Sequence, residues 1–163
     1  MLKKYLTLLL LTFIFHNSVY SAAPKKEIYS THMLGVKQSD FKTGFIAVKK
    51  AKNYLKKGKI KKAKEKFNKA IKYLTLANEE YSYEPAILGL LGFSLINVGD
   101  FDMAEIYFLQ GLEIEPKHIY INKDLGELYF KTKRINMAKE QLKILETCKC
   151  KEFEELKALF EQQ

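Results

Sequence analysis

Residues Pro85–His118, PAILGLLGFSLINVGDFDMAEIYFLQGLEIEPKH, decide the fold. Two segments rich in apolar residues stand on either side of Gly99 and Asp100, and Pro116 follows the second one. Gly and Asp suit turns and helix ends, while Pro cannot continue a helix. We therefore expect two helices joined by a tight turn.

The same pattern recurs towards the C-terminus. Ala138 follows Ala104 by 34 residues. Within Ile119–Glu152 the matching positions hold the same kinds of side chain, namely Leu125, Gly126, Tyr129, Ala138 and Leu142. Self-similarity at a fixed period of about 34 residues indicates an array of helix pairs.

An earlier copy of the unit precedes Pro85. The segment AKEKFNKA at residues 63–70 matches the second helix, and Tyr54 and Gly58 stand before it. Ala63 lies 41 residues before Ala104, which is seven more than the period. Since seven residues make about two helical turns, we expect the second helix of this first unit to run past Tyr73.

The recurring positions resemble the tetratricopeptide repeat family. In the unit quoted above they are Leu88, Leu91, Gly92, Leu95, Ala104, Phe108, Gly111 and Pro116. The resemblance covers residues 41–152 and implies an all-α fold, an α-solenoid of three helix-turn-helix units at about 44–84, 85–118 and 119–152. One helix pair cannot bury its apolar face alone, so the pairs are expected to stack and share a core.

The last residues, FEELKALFEQQ at 153–163, have apolar side chains on one stripe: Phe153, Leu156, Leu159 and Phe160. A helix with a single apolar stripe buries that stripe and leaves its other side in water. We therefore expect a seventh helix that caps the open end of the stack, so that the repeat domain spans 41–163.

The N-terminus is predicted to be a targeting segment. Lys3 and Lys4 precede an apolar run at Tyr5–Phe15, and small residues follow from Ser21. This is the layout of a secretory signal peptide, and the run is too short to span a bilayer comfortably. We expect a signal peptide at 1–21, with an uncleaved anchor as the alternative. An arm at 22–40 would follow, in a protein that is periplasmic or secreted.

Residues suited to catalysis are few. The chain has three histidines, two cysteines and no tryptophan. It contains no HExxH, GxSxG or glycine-rich phosphate-loop motif. We expect no enzymatic activity, no cofactor and no metal site. Arg134 is the only arginine, which disfavours nucleic acid as a partner because Arg is the side chain that grips phosphate in a bidentate manner.

Cys148 and Cys150 are the one notable pair. They are expected to form a disulfide with each other or with another chain if the compartment is oxidising. Two alternatives stay open, a reduced and inert pair or half of a site for a soft metal such as Cu(I) or Zn.

Charge is distributed unevenly along the chain. The segment Lys49–Lys72, which we call the lysine block, holds twelve lysines and one acid, Glu65, a net charge of +11. From Glu79 to Gln163 ten basic and sixteen acidic residues give −6. A block of this kind attracts anionic membrane or polysaccharide, and a solvated helix face rich in lysine through codon bias is the alternative. The expected patch is Lys49, Lys50, Lys56, Lys57, Lys61 and Lys62.

The family resemblance implies a ligand groove lined by the first helix of each pair. Carried to this sequence, the groove is expected at Phe45, Val48, Lys52, Phe93, Asn97, Tyr120, Lys123, Glu127 and Phe130. In this family, a clamp for a chaperone's C-terminal carboxylate requires Lys and Asn at defined groove positions. The sequence does not support that clamp, because these positions hold Val48, Lys52, Leu90, Tyr120 and Asp124. The predicted function is a scaffold that docks a protein or peptide segment, with electrostatic binding through the lysine block as the alternative.

Overall fold

The computed structural model describes residues 39–82 and 84–162. The described part of the chain is helical and contains no strand. Its helices are α1 (Ser39–Lys56), α2 (Ile60–Glu80), α3 (Pro85–Val98), α4 (Phe101–Ile114), α5 (Ile119–Lys131), α6 (Ile135–Leu145) and α7 (Lys151–Glu161), with a short 3-10 turn at Glu146–Cys148 before α7. The predicted signal peptide and all but the last two residues of the predicted arm lie outside the described residues.

The helices form three successive pairs and a cap. α1 packs on α2, α3 on α4 and α5 on α6, while α2–α3 and α4–α5 contacts join one pair to the next. The first helices also contact each other in the order α1, α3, α5, and α7 packs on α5 and α6. This arrangement confirms the predicted all-α solenoid. None of the helices between residues 39 and 162 is long and apolar enough to cross a membrane.

The turns within the pairs show how the local sequence ends each helix. Gly99 ends α3 in the left-handed region, with φ 104°, and its N–H donates to the carbonyls of Leu95 and Ile96. Asp100 then accepts a hydrogen bond from the Met103 N–H at 3.2 Å, which caps α4. Glycine enters the left-handed region without a steric penalty and a short carboxylate satisfies a free helix N–H, so these two residues fix the turn.

The third pair makes its turn without glycine. Lys133 occupies the left-handed region there, with φ 62°, a conformation that side chains other than glycine adopt less readily. The start of this pair is fixed by His118, whose Nδ1 accepts a hydrogen bond from the Ile121 N–H at 3.3 Å. The turn of the third pair therefore has a weaker signal in the sequence than the Gly99–Asp100 turn of the second pair.

Glycine permits the close approach of helices inside and between the pairs. A Cβ placed on Gly92 of α3 would lie 2.5–2.8 Å from the ring of Phe108 in α4. A Cβ on Gly126 of α5 would lie 2.5 Å from Leu156 in the capping helix. Phe108 and Leu156 are fully buried, so the space that these glycines leave is filled by the core of the stack.

Helix bounds differ from the sequence-based expectation by a few residues. α2 continues to Glu80, in line with the seven extra residues of the first unit. α1 begins at Ser39, two residues before the expected start of the repeat domain, and α7 begins at Lys151 rather than at residue 153. Neither difference moves a side chain of the predicted groove to another helix.

The single arginine ties the last two pairs together. Arg134, at the start of α6, binds the Glu105 carboxylate of α4 at 2.7 Å, and its guanidinium lies 4.5 Å from the ring centroid of Tyr129. Burial, with Glu105 beside the phenol, raises the pKa of Tyr129 to about 12. The planar guanidinium can pair with a carboxylate and cover an aromatic face at once, which a lysine would not do equally well.

Two glycine substitutions should affect stability differently. Gly92→Ala should lower the free energy of unfolding by about 1–3 kcal/mol, because the buried Phe108 ring cannot move away. Gly111→Ala should cost less than about 1 kcal/mol or stabilise. Its new Cβ comes into close contact only with the terminal methyl of Ile121, and alanine is favoured over glycine in a helix by about 1 kcal/mol. Urea denaturation of both variants tests this, and equal losses would contradict it.

Candidate functional site

The candidate site is the layer formed by the first helices of the three pairs together with α7. Because α1, α3, α5 and α7 contact one another in that order, side chains from distant parts of the sequence meet along one side of the stack. Every predicted groove residue lies on α1, α3 or α5. α7, which the sequence predicted only as a capping helix, also contributes side chains to this surface.

On α1 the groove carries an exposed aromatic group. Phe45 is 40% exposed, and its ring stacks on that of Phe41 with the ring centroids 6.0 Å apart. The ammonium group of Lys49 lies 5.8 Å from the Phe45 ring centroid. An aromatic side chain with free surface and an adjacent cation is suited to anchor a ligand side chain.

The middle of the groove is a contact between α1 and α3. The ammonium group of Lys52 lies 4.2 Å from the ring centroid of Phe93, within range of a cation–π attraction. Phe93 is half-buried, and its ring also meets the edge of Phe67 from α2 at 5.7 Å. Phe93 therefore supports the stack of helices as well as lining the groove.

Lys123 organises a charged cluster on α5 and α7. Its Nζ lies 3.2 Å from Asp124, 2.8 Å from Glu127 and 3.8 Å from Glu155. Burial disfavours the charge of Lys123, but the carboxylates of Asp124 and Glu127 outweigh burial and raise the pKa of the ammonium group. We call Lys52, Lys123, Asp124, Glu127 and Glu155 the groove cluster. Lys52 is included because its charge favours the ionised forms of Asp124 and Glu155.

Asp124 is the member of the groove cluster whose carboxyl has a raised pKa. Burial, to which the neighbouring Glu127 charge adds, outweighs the opposing effect of Lys123 and raises the pKa of Asp124 to about 6. Glu155 is shifted the other way, because a hydrogen bond from Lys151 and the nearby lysines hold the pKa of its carboxyl below the ordinary value. The cluster therefore offers both positive and negative groups to a ligand.

The remaining predicted groove residues differ in how far they reach the surface. Tyr120 is 55% exposed, whereas Val48 is 2% exposed and belongs to the core, so it offers no contact surface. The Asn97 side chain donates to the Phe93 carbonyl of its own helix at 2.8 Å. Phe130 is half-buried, with its ring against Phe160 of α7 at 5.1 Å between centroids.

Two members of the groove cluster were not among the predicted site residues. Asp124 appeared in the sequence only as a departure from the carboxylate clamp, and Glu155 lies in α7, outside the repeat. A local signal did exist for part of the cluster, because Lys123–Glu127 and Lys151–Glu155 have the i,i+4 spacing that joins opposite charges on a helix face. The contact between Lys123 and Glu155 depends on how α7 docks, which no spacing reveals.

The lysine block forms the second candidate surface. The side chains of the predicted patch, Lys49, Lys50, Lys56, Lys57, Lys61 and Lys62, are all exposed. Among the residues that the structure describes, none of the twelve lysines of the block makes an ion pair. Their charge is therefore presented to solvent rather than neutralised by the fold.

Cys148 and Cys150 lie between α6 and α7. The structure joins them in a disulfide, one of the states that the sequence left open. Lys149 between them has φ 48°, and Cys150 is the residue that precedes α7. The bond therefore sits at the point where the capping helix leaves the last pair. Over residues 39–82 and 84–162, no three His, Cys, Asp or Glu side chains are placed to hold a metal ion.

Because the pKa of the Asp124 carboxyl is raised, we expect the stability difference between the native chain and Asp124→Asn to depend on pH. Its pKa is about 6 in the folded chain against 3.8 ordinarily, so the folded chain holds this proton to higher pH than the unfolded chain. The contribution of Asp124 to the free energy of unfolding should therefore fall as pH rises from about 4 to about 6. Relative to the native chain, Asp124→Asn should gain about 2 kcal/mol across that range. Urea denaturation at several pH values measures the difference, and a constant one would contradict the assignment.

A solved structure supports the fold. The chain is similar to a structure titled "First TPR of Spaghetti (RPAP3) bound to HSP90 peptide SRMEEVD", with a TM-score of 0.55 and 18% identity. The match covers 75% of this chain and 94% of that one. At this identity the likeness concerns the fold. No curated protein matches the chain significantly.

The repeat pattern itself is matched by a family model. The model described as "Tetratricopeptide repeat" matches residues 47–79 and 85–118. These two matches fall on the first and second helix pairs, α1–α2 and α3–α4. The matches show that these two pairs are tetratricopeptide repeats, and the third pair continues the same stack.

Proposed function

We propose that this protein is a non-enzymatic scaffold of the cell envelope that docks a peptide or a segment of another protein in the groove of its first helices. The observation that carries the proposal is the row of α1, α3, α5 and α7, along which exposed aromatic groups and the groove cluster share one surface. Tetratricopeptide repeats serve in protein–protein interaction, and the structural neighbour holds a peptide. The location rests on the signal-peptide pattern at residues 1–21, which favours export to the periplasm.

The charges of the groove favour a ligand unlike the peptide held by the structural neighbour. That peptide, SRMEEVD, is acidic. In this groove Asp124, Glu127 and Glu155 all lie within 4 Å of Lys123, while Lys52 stands on the α1 side. A segment with an apolar anchor and charges of both signs suits this surface better than a cluster of carboxylates does, since like charges brought together lower affinity.

Two exposed aromatic residues provide the test of groove binding. Cross-linking in intact cells, followed by affinity capture at low and high salt, should identify a defined partner protein that survives high salt. Phe45→Ala with Tyr120→Ala should then weaken binding of that partner about tenfold or more, since buried aromatic anchors dominate most interfaces. Phe93→Ala is less informative, because Phe93 also packs on Phe67.

The matched control is a pair of exposed apolar residues on α4, which is outside the row of first helices. Ile106 and Leu109 are exposed to a similar degree as Phe45, so Ile106→Ala with Leu109→Ala removes comparable apolar surface. This control should bind the partner like the native chain. If both double variants bind the partner as tightly as the native chain, the groove is ruled out. If both lose binding to the same extent, the docking surface lies elsewhere.

A second candidate function is electrostatic attachment to an anionic membrane or polysaccharide through the lysine block. The observation that favours it is the exposure of these lysines without ion pairs to other described residues. Such attraction weakens with salt, because the screening length falls from about 10 Å at 0.1 M to about 3 Å at 1 M.

Charge reversal tests this second candidate. Lys57, Lys59, Lys61 and Lys62 changed together to Glu should reduce binding to anionic vesicles and to dextran sulfate by about a hundredfold or more at low salt, at roughly 1 kcal/mol for each lysine near such a surface. Capture of the groove partner should be unaffected. Undiminished binding to both polyanions would reject the lysine block as a functional surface.

A further inference from the structure

The turn between α1 and α2 places an apolar residue at an exposed position. Gly58 adopts φ 66°, with open space where a side chain would stand, and α2 begins two residues later at Ile60. Ile60 is 53% exposed, more than any other large aliphatic side chain in the described residues. We call residues 56–62 the hairpin tip.

Five lysines surround Ile60 within the hairpin tip. They are Lys56, Lys57, Lys59, Lys61 and Lys62, and all five are exposed. The nearest acidic residue in the sequence is Glu65, and α2 has no acidic side chain in its first turn. Ile60 thus lies inside a region of unneutralised positive charge.

Folding alone does not favour this composition. The N-terminus of a helix carries a partial positive charge and is stabilised by acidic side chains, so Lys61 and Lys62 stand at an unfavourable place. Like charges four residues apart on a helix also repel each other, and Lys62 and Lys66 have that spacing. Ile60 contributes little to the core because half of its surface remains exposed.

We propose that the hairpin tip docks on an anionic phospholipid bilayer, with the Ile60 side chain entering the interface and the surrounding lysines contacting lipid phosphates. This inference rests on the second candidate function and deepens it by naming the surface and its orientation. Basic side chains around an apolar residue suit a bilayer surface, where anionic headgroups lie directly above an apolar interior.

The apolar residue decides between a bilayer and a polysaccharide. An anionic polysaccharide offers charge to the five lysines but has no apolar interior, so Ile60 would stay in water. A bilayer removes the same side chain from water, which is favourable in proportion to the apolar area buried. The two surfaces therefore predict different environments for residue 60 in the bound state.

A single introduced tryptophan reports that environment, since the chain has none of its own. In Ile60→Trp, fluorescence emission should shift to shorter wavelength, and quenching by acrylamide should fall, on adding vesicles of equimolar phosphatidylglycerol and phosphatidylcholine. Neither change should occur with phosphatidylcholine alone or with dextran sulfate. The matched control is Ile114→Trp, at a residue 46% exposed on α4, whose emission should not change.

The local probe is needed because the full chain also carries the apolar run Tyr5–Phe15, which could bring the protein to vesicles by itself. Binding of the whole chain is therefore measured separately, by co-sedimentation. Ile60→Asn should lower partitioning onto the anionic vesicles about fivefold, as expected for half of a buried isoleucine. Its binding to dextran sulfate should remain unchanged, and circular dichroism confirms that the variant is folded.

The outcomes separate the inference from the function on which it rests. A blue shift in Ile60→Trp together with weakened vesicle binding by Ile60→Asn supports bilayer docking. If the introduced tryptophan of Ile60→Trp remains exposed to acrylamide while the chain binds anionic vesicles or dextran sulfate, the inference is overturned and electrostatic attachment stays in place. Absence of charge-dependent binding to either polyanion rejects the second candidate function and the inference together.

Discussion

The close approach of neighbouring helices through glycine is the constraint on which the rest of the structure depends. Gly44, Gly92, Gly111 and Gly126 each leave space that is filled by a bulky side chain from another helix, Leu74, Phe108, Ile121 and Leu156 in turn. These contacts occur within a pair, between pairs and at the cap. Where the facing side chain cannot move away, as at Gly92, such an interior tolerates little added volume. The spacing of the first helices therefore depends on a few residues without side chains.

That spacing creates the groove cluster. Lys52, Lys123 and Glu155 come from α1, α5 and α7. Lys123 lies 3.8 Å from Glu155, and the charge of Lys52 acts on both Asp124 and Glu155 because the first helices and α7 pack side by side. The same proximity removes Asp124 from water and raises its pKa to about 6. A carboxylate held in a partly desolvated groove beside cations interacts more strongly with a charged ligand than one in open solvent.

Much of this fold could be predicted from the sequence, because a 34-residue period fixes both the helix pairs and the positions of the small residues between them. The seven extra residues of the first unit correctly indicated the longer α2. Groove residues were harder to predict. Val48 and Lys52 are one turn apart and differ in angle by only about 40° around α1, yet Val48 is buried and Lys52 is exposed. Asp124 was considered only as a departure from the carboxylate clamp, and its burial depends on tertiary packing. Glu155 escaped prediction because α7 lies outside the repeat, so no period fixes its contact with α5.

The lysine block and the solenoid are physically separable. The core is made by glycines, alanines and large apolar residues, whereas eleven of the twelve lysines between Lys49 and Lys72 are exposed. Their mutual repulsion costs only a few tenths of a kcal/mol for each close pair on a helix, and solvent and salt reduce it further. Because α1 and α2 are held to the stack by Gly44, Ala63 and Phe67 rather than by charge, the number of lysines can change without changing the fold. Apart from contacts of single lysines with aromatic rings, such as Lys52 with Phe93, this positive charge brings the folded state no stability. The composition of this surface is therefore decided by something outside the fold.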